Sequence, residues 1–447
     1  SGNVGNWGIE QYYNSQLNGV NGRAYYYFNE ELDQEQSVKE PKNGNSVVST
    51  IDMQIQKIIE QKLKDFDDKI GSKVTNILVM NPQNGEILGM TSSYPYNLNK
   101  PMDEKSLLSL YSQSEIDKMK AYTKQKQAEE ATDSEDTSED SKDSTKKKTD
   151  DQKTIYDAFN ELWRNSIISD TNEPGSTYKP FTVATGLESG ALTGNENYFC
   201  TGSLMVGKRN IGCSHVHGNI TLKDAVAKSC NVAMMNIGFK EGADTFYKYQ
   251  NIFGFGRSTG IDLPGETDTK SLVYNASNYS NSVTLATNAF GQNFNCTMMQ
   301  MAAGFCSLIN GGNYYRPHIV KQIQNDGGDV VKDVGKEVLR KTVSEETSAS
   351  IRSYMQDGTG TKAQIEGYTI GGKTGTAEKI PRNKKDYYVS FIGFTPVEKP
   401  ELLVYVTIDE PNVSFQANAG LAVELEKSCM EEIVNVLGIK PAISTKE

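Results

Sequence analysis

Glu173-Pro174-Gly175-Ser176-Thr177-Tyr178-Lys179-Pro180 is the stretch on which the reading of this chain turns. A Pro-Gly turn delivers the backbone to a helix whose first turn carries Ser176, and Lys179 follows three residues later on the same face. A serine hydroxyl is a weak nucleophile at neutral pH and needs a base. A lysine amine can be that base only where burial or a second cation strips its proton. The positive end of the helix favours the developing alkoxide. Taken alone, Ser-x-x-Lys is common and reads as a capped helix with a solvated lysine.

Two more stretches supply what the first lacks. Ser229-Cys230-Asn231 stands between an amphipathic segment (Leu222, Ala225, Val226) and another (Val232, Met235), so a helix-helix turn presents a hydroxyl for proton relay and an amide to hold a substrate amide. Gly371-Gly372-Lys373-Thr374-Gly375-Thr376-Ala377 reads as a sheet strand whose glycines admit close approach. Lys373 adds positive charge, and Thr374 and Thr376 offer hydroxyls to a carboxylate.

In this order the three motifs resemble the signature of penicillin-binding proteins and active-site serine β-lactamases. The resemblance extends through Ser49-Thr50-Ile51-Asp52, Thr221-Leu222-Lys223-Asp224-Ala225, Gly260-Ile261-Asp262-Leu263-Pro264-Gly265-Glu266, Phe290-Gly291-Gln292-Asn293 and Phe391-Ile392-Gly393-Phe394. Gly8-Ile9-Glu10-Gln11-Tyr12-Tyr13-Asn14 is similar to the end of the N-terminal pedestal of class B members. The resemblance therefore implies a monofunctional peptidoglycan DD-transpeptidase: residues 1–46 a truncated pedestal segment and linker, residues 47–440 the transpeptidase domain. It implies Ser176 as nucleophile, Lys179 as base, Ser229 and Asn231 for proton relay and substrate holding, and Lys373 as an electrostatic aid. Thr374, Gly375 and Thr376 would bind substrate, with the backbone N–H groups of Ser176 and Thr376 as the oxyanion hole. Peptidoglycan stem peptides and β-lactams are the implied ligands and a membrane glycosyltransferase the implied partner. No cofactor is required for this chemistry. The implied place is the extracytoplasmic face of the bacterial membrane, reached by a single N-terminal anchor that this sequence does not contain. A serine β-lactamase, a noncatalytic β-lactam sensor and a DD-carboxypeptidase are the competing functions.

The implied fold is α+β: an antiparallel sheet flanked by helices, with an all-helical subdomain. The residues agree. Ile77–Met80 and Glu86–Met90 flank Asn84-Gly85 as a hairpin does, and strands are expected at Tyr368–Ile370, Tyr388–Phe394 and Leu402–Thr407, before a last helix at Gly420–Leu437. The first 22 residues read as one short helix. Residues 30–46 are polar with Pro and Gly, a linker composition.

The 447 residues carry a net charge of −11, which argues against a nucleic-acid or anionic-lipid binder, and no apolar run reaches the length of a membrane span. Residues 128–151 supply −6 of that charge and contain no Val, Ile, Leu or aromatic residue. The tract at about 103–153 is expected to be a disordered acidic insertion.

Three of the six cysteines and two of the three histidines fall between 200 and 230. A turn at Gly207-Lys208 would set Cys200 opposite Cys213, and His215 and His217 follow at strand spacing. Three readings stay open: a Cys200–Cys213 disulfide, a structural zinc site drawn from Cys200, Cys213, Cys230 and His215 or His217, or unrelated thiols. Cys296, Cys306 and Cys429 sit among apolar neighbours and read as core.

Overall fold

The structure is a computed structural model that describes residues 4–133, 152–356, 358 and 362–442. Its centre is a five-stranded sheet built from β1 (Ser72–Met80), β2 (Ile87–Ser92), β3 (Gly371–Glu378), β4 (Tyr387–Thr395) and β5 (Leu402–Pro411), in the order β3-β4-β5-β1-β2. The β3/β4, β4/β5 and β5/β1 pairs are antiparallel. The last six residues of β1 and the first seven of β5 are all buried, as strands covered on both faces must be.

Alternation along these strands divides the interior in two. Ile77 and Val79 of β1, with Val404 and Val406 of β5, face the helices Met53–Lys69 and Gly420–Val436. Leu78 and Met80, with Leu403 and Tyr405, face the helices that carry the motifs. Met53–Lys69 is helical because Ile55, Ile59, Leu63 and Phe66 recur at helical spacing, and Asp52 caps its first turn by accepting from Gln54 N and Ile55 N. Each such apolar side chain contributes roughly 1.5–3 kcal/mol by burial. The helix Met298–Ile309 is buried on all sides, its start fixed by a reciprocal Thr297–Gln300 cap. Glu426 of the C-terminal helix is fully buried, and neither of its carboxylate oxygens has a partner among the described residues.

The α+β expectation, the hairpin around Asn84-Gly85, the strands at Tyr388 and Leu402 and the last helix are all present. Tyr368–Ile370 is not a strand, because the sheet begins one residue later at Gly371. The N-terminal segment forms two short helices, Gly8–Tyr12 and Asn14–Leu17, rather than one. Residues 30–46 are not wholly loop: Gln34–Lys39 pairs with Arg23–Phe28 in a two-stranded ribbon, whose polar strand shows no burial alternation to read.

Ser92–Ser166 forms a second compact unit. Leu107, Ile116, Ala158, Phe159 and Leu162 make its core. The expected disorder at 103–153 does not hold for its first part, since Glu104–Ser109 and Gln113–Asp133 are helical. The remainder of the acidic tract, residues 134–151, lies outside the described residues.

Candidate active site

The turn that carries Ser176 is set by close backbone packing. Gly175 adopts φ +59° and donates its N–H to Gly291 O at 2.8 Å. A Cβ added to Gly291 would lie 1.9 Å from Gly175 O, one on Gly175 2.7 Å from Thr376 O, and one on Gly375 2.3 Å from Ser390 Oγ. Glycine is therefore required at 175 and 291, where backbone stands in the way, while a side chain at 375 would have to displace the Ser390 hydroxyl. The nucleophile turn rests directly on β3, and Gly375 serves that contact. Ser176 is half-buried in the tight turn Gly175–Tyr178, and Tyr178 anchors it among Phe181, Phe255 and Phe294.

Lys179 opens the helix Lys179–Glu188 and is 1% exposed. Its Nζ donates to Ser229 O at 2.6 Å, Ser229 Oγ at 3.0 Å and Asn231 Oδ1 at 2.6 Å. Lys373, equally buried, donates from β3 to the same Ser229 Oγ at 3.1 Å and to Thr374 O at 3.3 Å. Burial pushes the Lys179 amine down to about 8, against the Cys213 and Cys230 sulfurs that pull it up. Burial, and then the charge of Lys179, hold Lys373 well below the ordinary lysine range.

Ser229 reaches both lysines because of its backbone. The helix Leu222–Ala227 ends in a left-handed residue, with Cys230 N donating back to Ala225 O at 2.9 Å, and the left-handed residue is Ser229 at φ +57°. Glycine is the usual occupant of such a position. A serine there carries a strain of roughly 1–2 kcal/mol. Asn231 then starts the helix Asn231–Glu241. The structure thus gathers Ser229, Asn231, Lys179 and Lys373 into one hydrogen-bonded group, with Ser176 one turn ahead of Lys179 and Thr374, Gly375 and Thr376 along the adjoining strand.

Beside this group, Cys200, Cys213, Cys230 and His217 converge, with ligand atoms all within 4.8 Å of one another. Cys213 Sγ lies 3.6 Å from His217 Nδ1 and 4.0 Å from Cys230 Sγ. All six cysteines are free, so Cys200 and Cys213 are not bonded to each other. His215 is not part of the cluster: residues 213–217 form a loop rather than a strand, the His215 ring is exposed, and only its backbone carbonyl meets Cys200 Sγ, at 3.6 Å. The Cys213 thiol is held well below its usual range, first by the Cys230 thiol and also by the Asn231 N–H, whose nitrogen is 3.2 Å from the sulfur.

Sequence reasoning missed Glu173 and Arg382. Glu173 accepts Arg382 Nη2 on both carboxylate oxygens, at 3.2 Å each. Glu173 was visible only as the first residue of the quoted motif, and nothing in sequence pairs residues 209 apart.

Residues 75–431 match the family described as penicillin binding protein transpeptidase domain. This chain belongs to that family. As a member, it is similar to stage V sporulation protein D of Bacillus subtilis, with 31% identity over 98% of this chain and 62% of that protein. It also resembles the probable peptidoglycan D,D-transpeptidase PenA of Neisseria meningitidis, with 25% identity over 90% of this chain and 59% of the relative. The chain thus spans about three fifths of the length of these curated relatives. Among solved structures, penicillin binding protein 3 of Mycobacterium tuberculosis in complex with ampicillin superposes with a TM-score of 0.75 at 21% identity, covering 99% of this chain and 87% of the other. A peptidoglycan synthetase from Bifidobacterium adolescentis gives 0.76 at 21% identity, covering 99% and 72%. These two likenesses bear out the fold.

Proposed function

We propose that this chain is a serine-type peptidoglycan DD-transpeptidase domain. The observation that carries the reading is a buried lysine amine with depressed basicity, one turn after a serine, wired through Ser229 to a second buried lysine. Ser176 Oγ attacks the carbonyl between the two terminal D-alanines of a stem peptide, and its proton passes to neutral Lys179. The carbonyl oxygen gains charge between the N–H groups of Ser176 and Thr376, which lie on a turn and a strand that pack backbone to backbone. Ser229 relays the proton to the departing D-alanine amine as the C–N bond breaks, leaving an ester on Ser176. Asn231 holds the acyl chain's amide, Lys373 supplies positive potential, and Thr374 and Thr376 bind the terminal carboxylate. An amine from a second stem peptide then forms the cross-link and regenerates the hydroxyl. A β-lactam mimics the donor and leaves Ser176 acylated. The domain acts on the extracytoplasmic side of the membrane, tethered there by an N-terminal anchor and supplied with glycan strands by a glycosyltransferase partner.

The same reading makes Cys200, Cys213, Cys230 and His217 a structural zinc site. Zinc bound by three thiolates and one imidazole is tetrahedral, with Zn–S near 2.3 Å and therefore ligand separations of about 3.8 Å. Separations of 3.6 and 4.0 Å around Cys213 fit that geometry. The metal would stiffen the loop that presents Ser229 and Asn231, and every step of the reaction belongs to the chain's own residues.

The test is a time course of intact mass after adding penicillin to the wild type and to Ser176→Ala. A lasting single adduct on the wild type, absent from the variant, is expected. An adduct that disappears as drug is consumed would instead mean a β-lactamase, and no adduct would point to a closed pocket or a noncatalytic role.

A further inference from the structure

The helix Ala243–Ile252 and the segment 270–275 border a cavity of about 640 Å³ that shares no residue with the group around Ser176. Tyr247, Asn251, Arg257, Lys270, Tyr274 and Asn275 line it. Tyr247 and Asn251 stand four residues apart on one helix face, where Asn251 Nδ2 donates to Tyr247 O at 3.0 Å and Asn251 Oδ1 accepts Arg257 Nε at 3.4 Å. The two walls are held from inside the protein. Gln300, 1% exposed, donates from Nε2 to Arg257 O and to Thr269 Oγ1 at 2.6 Å each, so one buried amide ties the Arg257 turn to the start of the 270–275 segment. Gly256, at φ +74°, sits directly on that segment: a Cβ added there would lie 2.4 Å from Val273 Cγ2. The Tyr274 ring meets the Tyr279 ring edge-on, with centroids 6.0 Å apart. Tyr279 is itself fixed, its buried hydroxyl 2.7 Å from Gln250 Oε1 and 3.0 Å from Asn288 Oδ1.

In a chain of net charge −11 this cavity is positive: among the described residues that line it, Arg257 and Lys270 are charged and no carboxylate is present. Neither the Arg257 Nη groups nor Lys270 Nζ have a hydrogen-bond or ion-pair partner among the described residues. Arg340, whose Nε donates to Ile252 O at 2.6 Å, brings a third positive charge to the end of the same helix. Asn275 Oδ1 is taken by Ser277 Oγ at 2.6 Å and Asn278 N at 3.1 Å, which leaves Asn275 Nδ2 as a donor. A guanidinium and an ammonium suit a carboxylate or a phosphate. The amides suit ring hydroxyls, and the tyrosines suit the C–H face of a sugar ring.

We propose that this cavity binds a sugar carrying one carboxylate or phosphate, with Arg257 and Lys270 on the anionic group and Tyr247 and Tyr274 against the ring. Two sources share that chemistry: an acid sugar of a glycan strand and a phosphate-bearing sugar of another polymer. Binding here needs no acyl-enzyme, so it stands or falls separately from the transpeptidase reading.

Isothermal titration of the intact protein with N-acetylmuramic acid, N-acetylglucosamine 6-phosphate, N-acetylglucosamine and inorganic phosphate tests the proposal. At least one of the two acid sugars should bind about tenfold or more tighter than either the neutral sugar or phosphate alone. Preference for the first assigns the site to a carboxylate sugar, and preference for the second to a phosphate sugar. Arg257→Gln and Lys270→Gln should each weaken that binding about tenfold. Lys270 is exposed, so its variant keeps the fold. Tyr274→Ala should weaken the acid sugar and leave the weak binding of phosphate as it was. Ser176→Ala should bind as the wild type does. No binding by either acid sugar up to about 10 mM, phosphate as tight as the acid sugars, or an unchanged affinity in Lys270→Gln overturns the proposal. So does a loss of binding in Ser176→Ala, which would put the sugar at the reacting serine.

Discussion

Lys179 and Lys373 close on a single hydroxyl: Ser229 Oγ is 3.0 Å from the first Nζ and 3.1 Å from the second. Two buried cations this near a common acceptor disfavour each other's charge, and burial removes the water that would otherwise stabilise both.

The first prediction follows from that pairing. Acylation needs the neutral Lys179 amine, so its rate should rise with pH and level off above a midpoint near the value of about 8 that burial sets. Stopped-flow acylation by a chromogenic cephalosporin from pH 6 to 10 reads the curve. Lys179→Arg, which cannot lose its proton, should be slower by roughly 10³-fold. A rate that is flat across this range would remove Lys179 from the role of base.

At Ser229 the backbone and the hydroxyl make opposite demands. Ser229→Gly should relieve the left-handed strain and stabilise the fold by up to about 1 kcal/mol, while lowering acylation roughly 10²-fold. Ser229→Ala should lose a similar amount of activity without the gain in stability. Thermal melts and acylation rates on the two variants separate the effects.

For the thiol cluster, native mass spectrometry should find about one zinc per chain, and a strong chelator should lower Tm by roughly 5 °C or more. Cys213→Ser should do the same without chelator, whereas His215→Ala should not. A metal-free protein with a Tm indifferent to chelator would end the zinc reading.

Burial holds the Glu426 carboxyl well above the ordinary carboxylate range. The folded state therefore keeps a proton that the unfolded chain releases, and stability should fall as pH rises above the ordinary Glu value of 4.5, by at most about 1.4 kcal/mol per pH unit from this group. Glu426→Gln cannot ionise and should shrink that slope, with its largest advantage at high pH. Denaturant titrations at pH 5 and pH 8 measure it. Glu241, also buried, adds a slope of the same sign, since desolvation raises its carboxyl against the opposing effect of the Gly186 backbone N–H.

Much of the site could be read from sequence because its chemistry is carried by short motifs with strict backbone demands. Lys179, Ser229, Asn231 and Lys373, which the resemblance placed in one site, lie in one hydrogen-bonded group. The choice between the two histidines could not be read, because strand spacing at 213–217 suggested a regularity that the loop does not have. The ribbon strand Gln34–Lys39 escaped because none of its side chains is buried, leaving no period-2 signal. The helix Gln113–Asp133 escaped for a related reason: polar residues dominate most of its length, and its few apolar contacts are made with segments distant in sequence. Glu173 with Arg382 is a tertiary pair, and only the fold brings it together.

The three glycines around the nucleophile turn also limit how this domain can evolve. Gly175 and Gly291 face backbone atoms that leave no room for a methyl group, and a methyl at 375 would have to displace the Ser390 hydroxyl, so substitution at these positions beside Ser176 is costly. A lineage under selection at this site would have to find its changes farther out, among side chains rather than in the seat of Ser176.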